Sequence, residues 1–449
     1  MKQTESKTRE VTATKKLKKM LVTFLLFPAL LLALTACESS DDSASADGEG
    51  GNLTMWHIQT EVLIGEIIQD SIDRFQYENP GFTVTHVPIA NDDYKTRIVV
   101  ALGAGTQPDI FITWTGGGML EYIEAGHIIP LTQYLRADNF YQYFMEAGIA
   151  QATVDGDIWA VPVENCSIAV VFYNRHAFAN AGVSVPTTIS ELEDVMETFM
   201  EHGILPWAFA NRERFVASFY FKYLVDRYGG SDVFNDAVNR RNNVTFEHPA
   251  FLWAGERMVD WSERGFFGEG FNALDGEAGA LNQMFYEGLA AMRVDGTWSI
   301  SRLFADGMTS DDIGIFPFPA ADGGVGNPNN LVGTVGDTFY VISSNSPHPD
   351  QAFEVIRFLI DETAVEKRIE AGRLPPTRNA RAGDPLNAQA LELMLNAPNI
   401  QLWYDQYLPT ALAEIHLNEL QALVGLIITP EEYNRRMEAG AVAHIGPAR

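Results

Sequence analysis

Two predicted strands end on side chains that could bind a small molecule. Trp56 and His57 close the first apolar segment, and Trp114 follows a Pro-Asp segment just before the glycines 116–118. The carboxyl ends of strands in an open α/β sheet form the rim where ligands bind. Indole rings can cover flat apolar surfaces and imidazole nitrogens can form hydrogen bonds, although His57 could equally be a structural histidine. These positions predict a binding rim.

The segments around these residues predict an α/β sheet. Residues 52–57 and 82–87 have the composition and alternation of strands, and the apolar residues between them recur at helical spacing from Ile64 to Phe75. Strand, helix and strand with short connections are typical of parallel βαβ units with helices on the sheet faces. A second α/β pattern begins near Ile158.

The start of the chain predicts export and lipid attachment. A lysine cluster within 15–19 precedes the apolar run 21–34, which is shorter than the roughly 20 residues that span a bilayer. The run ends in Leu-Thr-Ala-Cys, which resembles a bacterial lipobox, in which the cysteine is lipidated and becomes the new N-terminus. We therefore expect a lipoprotein signal peptide over 1–36 and lipidation of Cys37. An ordinary signal peptide with an incidental cysteine is the alternative.

A flexible tether is expected after the lipidation site. Residues 38–51 are rich in Ser, Asp and Gly and contain no large apolar side chain, so they cannot bury enough surface to offset the entropy of ordering. We assign 37–51 to this tether. The protein is then expected at the extracellular face of a bacterial cytoplasmic membrane, which it contacts through the lipid anchor only.

The composition describes an acidic protein without disulfides. Residues 1–36 hold seven basic and two acidic residues, so the remainder has 24 basic against 57 acidic residues. Such a surface repels nucleic acid and anionic lipid. If Cys37 carries lipid, Cys166 has no partner for a disulfide. The predominance of Arg over Lys suggests a saline or alkaline habitat, since Arg stays charged at high pH.

The length of the chain predicts two domains. About 400 residues follow the tether, which exceeds the size of a single hydrophobic core. Hydrophobic residues make up 46% of the chain, and there is no second long apolar run, so we expect a globular body.

Six separate segments, in order along the chain, resemble one family. The resemblance is to the bacterial extracellular solute-binding proteins of family 1, the sugar-binding lipoproteins of ABC transporters that are similar to maltose-binding protein. The segments are RFQYENPGFTVTHV (74–87), VVALGAGTQPDIFITWTGGGMLEYIEAGHIIPL (99–131), WAVPVENCSIAVVFYNRHAFANAGVSVPTTISEL (159–192), GLAAMRVDGTWS (288–299), GTVGDTFYVISSNSPHPDQAFEVIRFLIDE (333–362) and LWYDQYLPTALAEIHLNELQALVGLIITPEEYNRRM (402–437).

The resemblance implies a two-lobed periplasmic-binding-protein-like α/β fold of class II, with hinged lobes and a ligand cleft between them. The N-lobe would comprise 52–162 and 332–364, and the C-lobe 163–331 and 365–449. A di- or oligosaccharide would bind in the cleft and pass to the membrane subunits of an ABC permease. A monomer without cofactor, metal or catalytic residue is implied, and the sequence contains no nucleotide-binding P-loop motif.

The resemblance also implies which residues bind the sugar. Such a site needs aromatic rings for the apolar sugar faces and charged or amide groups for the hydroxyls. Trp298 matches an aromatic stacking residue, and Glu164 matches a hinge-region glutamate. Trp403 and Tyr404 match an aromatic pair, of which only one should reach the cleft because adjacent helical residues face different ways. The further candidates are Asn165, Asp295, Arg373 and Asp405, beside the rim residues Trp56, His57 and Trp114, where Thr113 could take the place of Trp114.

Three other functions remain open from the sequence. A secreted glycoside hydrolase would need two carboxylates flanking the scissile bond, and no motif singles out such a pair. A metal-binding lipoprotein would need clustered ligands, whereas the histidines are scattered. A receptor for a peptide or another polar solute would have the same architecture with a different cleft.

Overall fold

The computed structural model describes residues 50–276 and 279–448. The chain from Glu49 to Arg449 forms one compact unit. The predicted signal peptide, the lipidation site Cys37 and nearly all of the predicted tether lie outside the described residues. Among the helices that are described, none is long and apolar enough to cross a membrane.

The strands of the described residues pair into two large sheets and one small hairpin. In chain order they are β1 (Gly51–His57), β2 (Phe82–Pro88), β3 (Ile110–Thr113), β4 (Thr153–Val154), β5 (Asp157–Ile158), β6 (Val161–Pro162), β7 (Asn165–Asn174), β8 (Leu205–Trp207), β9 (Ala290–Gly296), β10 (Ile313–Phe316), β11 (Leu331–Gly336), β12 (Phe339–Ile342) and β13 (Ile400–Gln401).

The helices cover both faces of these sheets. In chain order they are α1 (Val62–Glu78), α2 (Asn91–Ala104), α3 (Gly117–Glu124), α4 (Thr132–Arg136), α5 (Glu146–Gln151), α6 (Arg175–Ala181), α7 (Ile189–Glu201), α8 (Phe215–Gly229), α9 (Asp232–Val238), α10 (Pro249–Glu263), α11 (Ala280–Tyr286), α12 (Ser299–Ala305), α13 (Pro349–Leu359), α14 (Glu362–Glu370), α15 (Pro385–Asn396), α16 (Tyr404–Tyr407), α17 (Thr410–Val424) and α18 (Pro430–Ile445), with 3₁₀ turns at Ala137–Tyr143 and Phe271–Ala273.

The first sheet has the strand order β2-β1-β3-β12-β6. Strand β1 is parallel to both β2 and β3, which are reached through α1 and α2. Leu53 and Met55 of β1 are buried, and α1 packs Ile68 and Phe75 into the same core. The apolar spacing that predicted a helix after the first strand is thus the face that covers the sheet. The βαβ units predicted from the sequence are confirmed here.

The second sheet has the strand order β13-β11-β7-β9-β8, and β10 also pairs with β7. Its central strand β7 runs antiparallel to β9, β10 and β11. Nearly every residue of β7 is buried, as expected of a strand covered on both faces. Helices α7, α8 and α10 pack on it around the buried Trp207, Phe219 and Trp261.

The chain passes between the two sheets three times. The first passage lies between β6 and β7, and the second lies between β11 and β12. The third follows α14, because Ala371 belongs to the core of the first sheet and Leu374 to a core of the second. We call residues 50–162 and 339–371 the first lobe, and 165–336 and 374–448 the second lobe.

Two boundaries differ from those expected from the sequence. The second N-lobe segment was expected to begin at 332, but β11 pairs with β7 from Gly333 to Gly336 and therefore belongs to the second lobe. The same segment was expected to end at 364, but Val365 and Ile369 pack in the core of the first lobe. In both cases a contact distant in sequence, rather than local composition, decides the boundary.

Candidate functional site

A cavity of about 700 Å³, partly open to solvent, lies between the two lobes. Its first-lobe wall is formed by residues that follow the carboxyl ends of β1, β2 and β3, the rim position of ligand sites in α/β sheets. Its second-lobe wall comes from α8, from the turn after β9 and from the segment around α16. The lining residues are Ile58, Gln59, Asn91, Lys95, Trp114, Phe215, Phe219, Trp298, Arg302, Asp337, Arg373, Trp403, Asp405 and Gln406.

Three tryptophans line this cavity, one from the first lobe and two from the second. The ring centroids of Trp298 and Trp403 lie 5.5 Å apart at an interplanar angle of 55°. Trp298 is half-buried, and its ring rests on the backbone of Gly296, where a Cβ would lie 2.2 Å from the ring. Trp114, on the opposite wall, packs edge-on against Tyr94. The cavity therefore offers flat apolar surfaces on both lobes.

Glu61 joins the lobes at one side of the cavity. Its carboxylate accepts hydrogen bonds from Arg302 Nε at 2.8 Å, Arg373 Nη2 at 2.7 Å and Ser301 Oγ at 2.9 Å. Burial opposes ionisation of Glu61, but the charges of Arg373 and Arg302 outweigh it and lower the pKa of Glu61. Because Glu61 precedes α1 and Arg302 lies on α12, this cluster holds the two lobes in the observed arrangement.

Asp405 joins the lobes through Lys95 and is also paired with Lys222. Its carboxylate lies 3.2 Å from Lys222 Nζ of the second lobe and 3.7 Å from Lys95 Nζ of the first. Burial alone would raise the pKa of Asp405, but the charges of the two lysines outweigh it and lower the pKa to about 2. Burial lowers the pKa of Lys222 to about 8, and its ammonium lies 5.1 Å from the ring centroid of Trp403. Lys222 thus supports two lining residues at once.

Asp337 enters the cavity from the passage between β11 and β12. Its backbone has a φ of 51°, in the left-handed region that Asp and Asn tolerate better than most residues. Burial raises the pKa of Asp337 to about 7, although the charge of Arg373 acts in the opposite direction. This carboxyl group can therefore donate or accept a hydrogen bond near neutral pH.

Several lining residues carry buried polar atoms without a hydrogen-bond partner among the described residues. These atoms are Trp403 Nε1, Gln406 Oε1 and Arg373 Nε. An unsatisfied buried polar group costs about 1 to 3 kcal/mol. A ligand or ordered water with hydroxyl groups could satisfy the two donors and the acceptor.

Five of the residues predicted from the sequence line the cavity. They are Trp114, Trp298, Arg373, Trp403 and Asp405. The other six predicted residues, described next, do not line it. Their role in ligand binding stays a prediction, and the structure gives each of them partners within the protein.

Glu164 lies behind the cavity in a fully buried ion pair. Its carboxylate accepts a hydrogen bond from Tyr340 Oη at 3.0 Å and lies 3.4 Å from Arg368 Nε and Nη2. Arg368 is itself fully buried and donates to the carbonyl oxygen of Leu359 at 2.6 Å. Burial opposes ionisation, but Arg368 and Arg373 lower the pKa of Glu164.

Asn165 and Asp295 are also engaged by neighbouring groups. The Oδ1 atom of Asn165 accepts a hydrogen bond from the backbone amide of Leu374 at 2.6 Å, which ties the first passage between the lobes to the third. Asp295 Oδ2 accepts from Ser299 Oγ at 2.6 Å and pairs with Arg293. The bonds of Asp295 shape the turn that carries Trp298.

Tyr404 and Trp56 face cores rather than the cavity. The ring of Tyr404 stacks on Phe234 with centroids 3.4 Å apart and planes 5° apart. Its neighbour Trp403 is the member of this pair that lines the cavity. Trp56 is partly buried against the core of the first lobe.

His57 is a fully buried histidine that pairs with His86. The backbone amide of Gln59 donates to His57 Nδ1 at 3.2 Å, so the ring proton of His57 lies on Nε2. Nε2 is 2.9 Å from Nδ1 of His86, whose own Nε2 is 3.0 Å from the side-chain oxygen of Gln69. The first two of these bonds require neutral imidazoles, because protonation of His57 Nδ1 would remove the acceptor for Gln59 and protonation of His86 Nδ1 would remove the acceptor for His57. The first of these hydrogen bonds holds the backbone of Gln59, which lines the cavity.

Acid should therefore destabilise the protein through this pair. Burial lowers the pKa of His57 to about 4, below the value of about 6.5 for an exposed histidine. Between these values the unfolded chain binds more protons than the folded one, so the free energy of unfolding falls as the pH drops from 6.5 to 4. We expect the loss to reach about 3 kcal/mol in urea unfolding curves. The decrease in the free energy of unfolding should be smaller in His57→Asn, whose side-chain oxygen can still accept a hydrogen bond from the backbone amide of Gln59. Parallel profiles for the two proteins would contradict this assignment.

The sequence argument missed several lining residues. Gln59 lies shortly after β1, and Asn91 begins α2 shortly after β2, so the strand-end rule that selected Trp114 could have selected them. Lys95 and Arg302 project from helices and carry no local signal that separates them from other surface charges. Phe219 is an apolar residue of an apolar helix and gave no indication of a binding role.

Within residues 50–276 and 279–448, no cluster of three or more His, Cys, Asp or Glu side chains could hold a metal ion.

A sequence match places the chain in a known family. Residues 60–366 match the family of bacterial extracellular solute-binding proteins. Since this match covers more than half of the chain, the protein belongs to that family. The resemblance inferred from the six segments is therefore confirmed, and so is the two-lobed α/β fold. The family comprises binding proteins rather than enzymes and indicates an extracellular location.

Relatives of known sequence include proteins of transport systems. The chain is 24% identical over 436 residues to an uncharacterized ABC transporter extracellular-binding protein of Pyrococcus horikoshii, covering 93% of this chain and 94% of that protein. It is 21% identical over 351 residues to the multiple sugar-binding protein of Streptococcus mutans, covering 76% of this chain and 78% of that protein.

Solved structures share the fold over most of the chain. A structure from work on xylan utilization by the thermophilic bacterium Caldanaerobius polysaccharolyticus superposes with a TM-score of 0.80 and 29% identity, covering 86% of this chain and 99% of that chain. A chitin oligosaccharide binding protein superposes with a TM-score of 0.79 and 24% identity, covering 87% and 98%.

Proposed function

We propose that the protein is the extracellular substrate-binding component of an ABC importer and binds a di- or oligosaccharide between its lobes. The bound sugar is then delivered to the membrane subunits of the permease. The protein acts as a monomer, with no enzymatic step of its own.

One observation carries the proposal: three tryptophans from both lobes share a cavity with hydrogen-bonding side chains. Carbohydrates present apolar faces between rings of hydroxyls, and each face can lie on an indole. Asp405 and Asp337 can accept hydrogen bonds from hydroxyls, and Arg302 and Arg373 can donate to them. The unsatisfied atoms of Trp403 and Gln406 favour a ligand that both donates and accepts.

The position of the cavity supports binding coupled to lobe movement. The Glu61 cluster and the Lys95–Asp405 pair each connect the first lobe with the second at the edge of the cavity. A ligand that touches both walls adds contacts to the same interface, so it stabilises the arrangement in which the lobes are together. The sugar-binding relatives point to the same ligand class.

The membrane anchor is part of this proposal. Lipidation of Cys37 would leave the binding body on the tether 38–51, outside the cytoplasmic membrane and within reach of its permease. Two acyl chains on one cysteine satisfy the requirement for stable anchoring. Mass spectrometry of the protein extracted from a lipidating bacterial host tests this point, because unmodified Cys37 would contradict it.

A carbohydrate panel tests the ligand class. We expect at least one di- or oligosaccharide to raise the melting temperature of the unit from Glu49 to Arg449. At a hundredfold excess over its Kd, such a sugar adds about 2.7 kcal/mol to the free energy of unfolding. The panel should include gluco-, xylo- and chito-oligosaccharides, with amino acids and short peptides as the comparison set. If peptides stabilise the protein and no sugar does, the ligand is a solute other than a sugar.

A further inference from the structure

Three residues that line the cavity meet at one buried ammonium group. Lys222 lies on α8, its side chain is fully buried, and its Nζ donates to Asp405 Oδ1 at 3.2 Å. The same Nζ lies 5.1 Å from the ring centroid of Trp403 and 5.4 Å from that of Phe219. Lys222 itself does not line the cavity. It therefore acts on a bound molecule through the three residues that it contacts.

The charge of Lys222 holds these residues in place. Taking a charge out of water is costly, so a buried lysine stays protonated only while its partners compensate for the lost hydration. The carboxylate of Asp405 does so from one side, and the faces of Trp403, Phe219 and Tyr404 attract the cation from others. If the ammonium became neutral, Asp405 would lose its closer partner and the indole would lose its cation. The wall would then no longer be preorganised for a ligand.

The neighbouring groups leave Lys222 able to titrate in mildly alkaline solution. The groups that face it are Asp405 and Tyr404 of α16, His416 of α17 and, across the interface, Lys95 of α2. Burial lowers the pKa of Lys222 to about 8, with Asp405 opposing the shift and Lys95 adding to it. Burial also lowers the pKa of His416 to about 3 and raises that of Tyr404 well above its usual value. Neither His416 nor Tyr404 therefore changes its charge near the pKa of Lys222.

We propose that Lys222 is a positioning residue for ligand binding, whose charged ammonium orders the wall formed by Phe219, Trp403 and Asp405 and whose neutral amine does not. The inference rests on the proposed sugar-binding function and adds a control of affinity by pH. A sugar that needs the ordered wall binds the protonated form more tightly. By linkage, its affinity falls as the pH rises through the pKa of Lys222, and binding above that pH takes up a proton.

The experiment measures Kd by calorimetry between about pH 6.5 and 9.5, using the unit from Glu49 to Arg449. The probes are maltotriose, xylotriose and triacetylchitotriose, which carry no charge and so confine the effect of pH to the protein. For a probe that binds at the lower pH, Kd should rise at least tenfold across this range, beginning near pH 8. At about pH 8.5 the heat of binding should also vary with the ionisation enthalpy of the buffer, because a proton is taken up.

Two substitutions of Lys222 should each remove this step. Lys222→Met keeps a long side chain without its charge, so Kd should be high throughout the range. Lys222→Arg keeps a charge that does not titrate, so Kd should be low throughout, and either variant is decisive when the other fails to fold. Lys367→Met is the matched control. Lys367 is a partly exposed lysine of α14 that pairs with Asp70, and its variant should follow the profile of the unmodified protein.

Asp337 is the cavity residue whose titration must be separated from that of Lys222. It lines the cavity, and burial raises its pKa to about 7. Asp337→Asn removes that titration and should keep the step near pH 8. A constant Kd in the unmodified protein, or a step near pH 8 that persists in Lys222→Met, would overturn the inference while leaving sugar binding intact. Absence of binding to all three probes at the lower pH would instead count against the proposed function, and the inference falls with it.

Discussion

Glu164→Gln should destabilise the protein by about 3 to 5 kcal/mol, the cost of removing one partner from a buried ion pair. The substitution keeps the shape of the side chain but leaves the guanidinium of Arg368 buried without its counter-charge. Tyr340 loses its charged acceptor at the same time. Urea unfolding followed by circular dichroism measures the change in the free energy of unfolding.

An exposed ion pair supplies the matched control. Glu366 pairs with Arg381 at the surface, and both side chains are more than half exposed. Exposed pairs contribute about 0 to 1 kcal/mol, so Glu366→Gln should fall within that range. Sugar affinity provides a second readout, because Glu164 does not line the cavity and folded Glu164→Gln should retain most of its binding. Equal stability of the two variants would show that the buried pair does not hold the passages between the lobes.

Trp298→Ala should weaken sugar binding by about 1 to 3 kcal/mol, which corresponds to roughly 5- to 150-fold in Kd. The substitution removes a half-buried ring from the wall of the cavity together with its contact to Trp403. Calorimetry with the sugar that gives the largest thermal stabilisation measures the loss.

Trp253 is the control for this substitution. It lies on α10, stacks on Tyr228 with ring centroids 4.7 Å apart, and does not line the cavity. Trp253→Ala removes a ring of the same size and should leave the affinity unchanged, even if the melting temperature falls. If Trp298→Ala binds the sugar as tightly as the unmodified protein, the stacking role of Trp298 is wrong.

The sequence predicted elements well where the signal is local. The helix from Ile64 to Phe75 and the strand beside it were predictable because the spacing of their buried residues is visible within a short stretch of sequence. The lobe boundaries were less accurate because β11 joins the second sheet only through its pairing with β7. That pairing links residues more than 160 positions apart and leaves no trace in local composition.

In the candidate site, too, some residues were predictable from the sequence and others depend on contacts that are distant in sequence. Trp114 was predicted because it follows a strand and so lies at the rim of the sheet, whereas Trp298 was predicted from the family resemblance. Glu164 also lies at a lobe passage, yet its partner Arg368 comes from a distant helix and draws the carboxylate into the protein. Of Trp403 and Tyr404, only Trp403 lines the cavity. Which member it would be depended on Phe234, and no sequence pattern reveals that contact.

The scarcity of lysine has a practical consequence for handling the molecule. Beyond residue 36 the chain has only Lys95, Lys222 and Lys367. Lys222 is fully buried, so the lysines open to amine-reactive dyes and sensor chips are Lys367, on the outside of α14, and Lys95, in the wall of the cleft. Immobilisation through lysine would therefore block the ligand site of every molecule that couples at Lys95. Attachment through an added terminal tag avoids this, and the mass of acylated Lys95 becomes a footprint of whether the cleft is occupied.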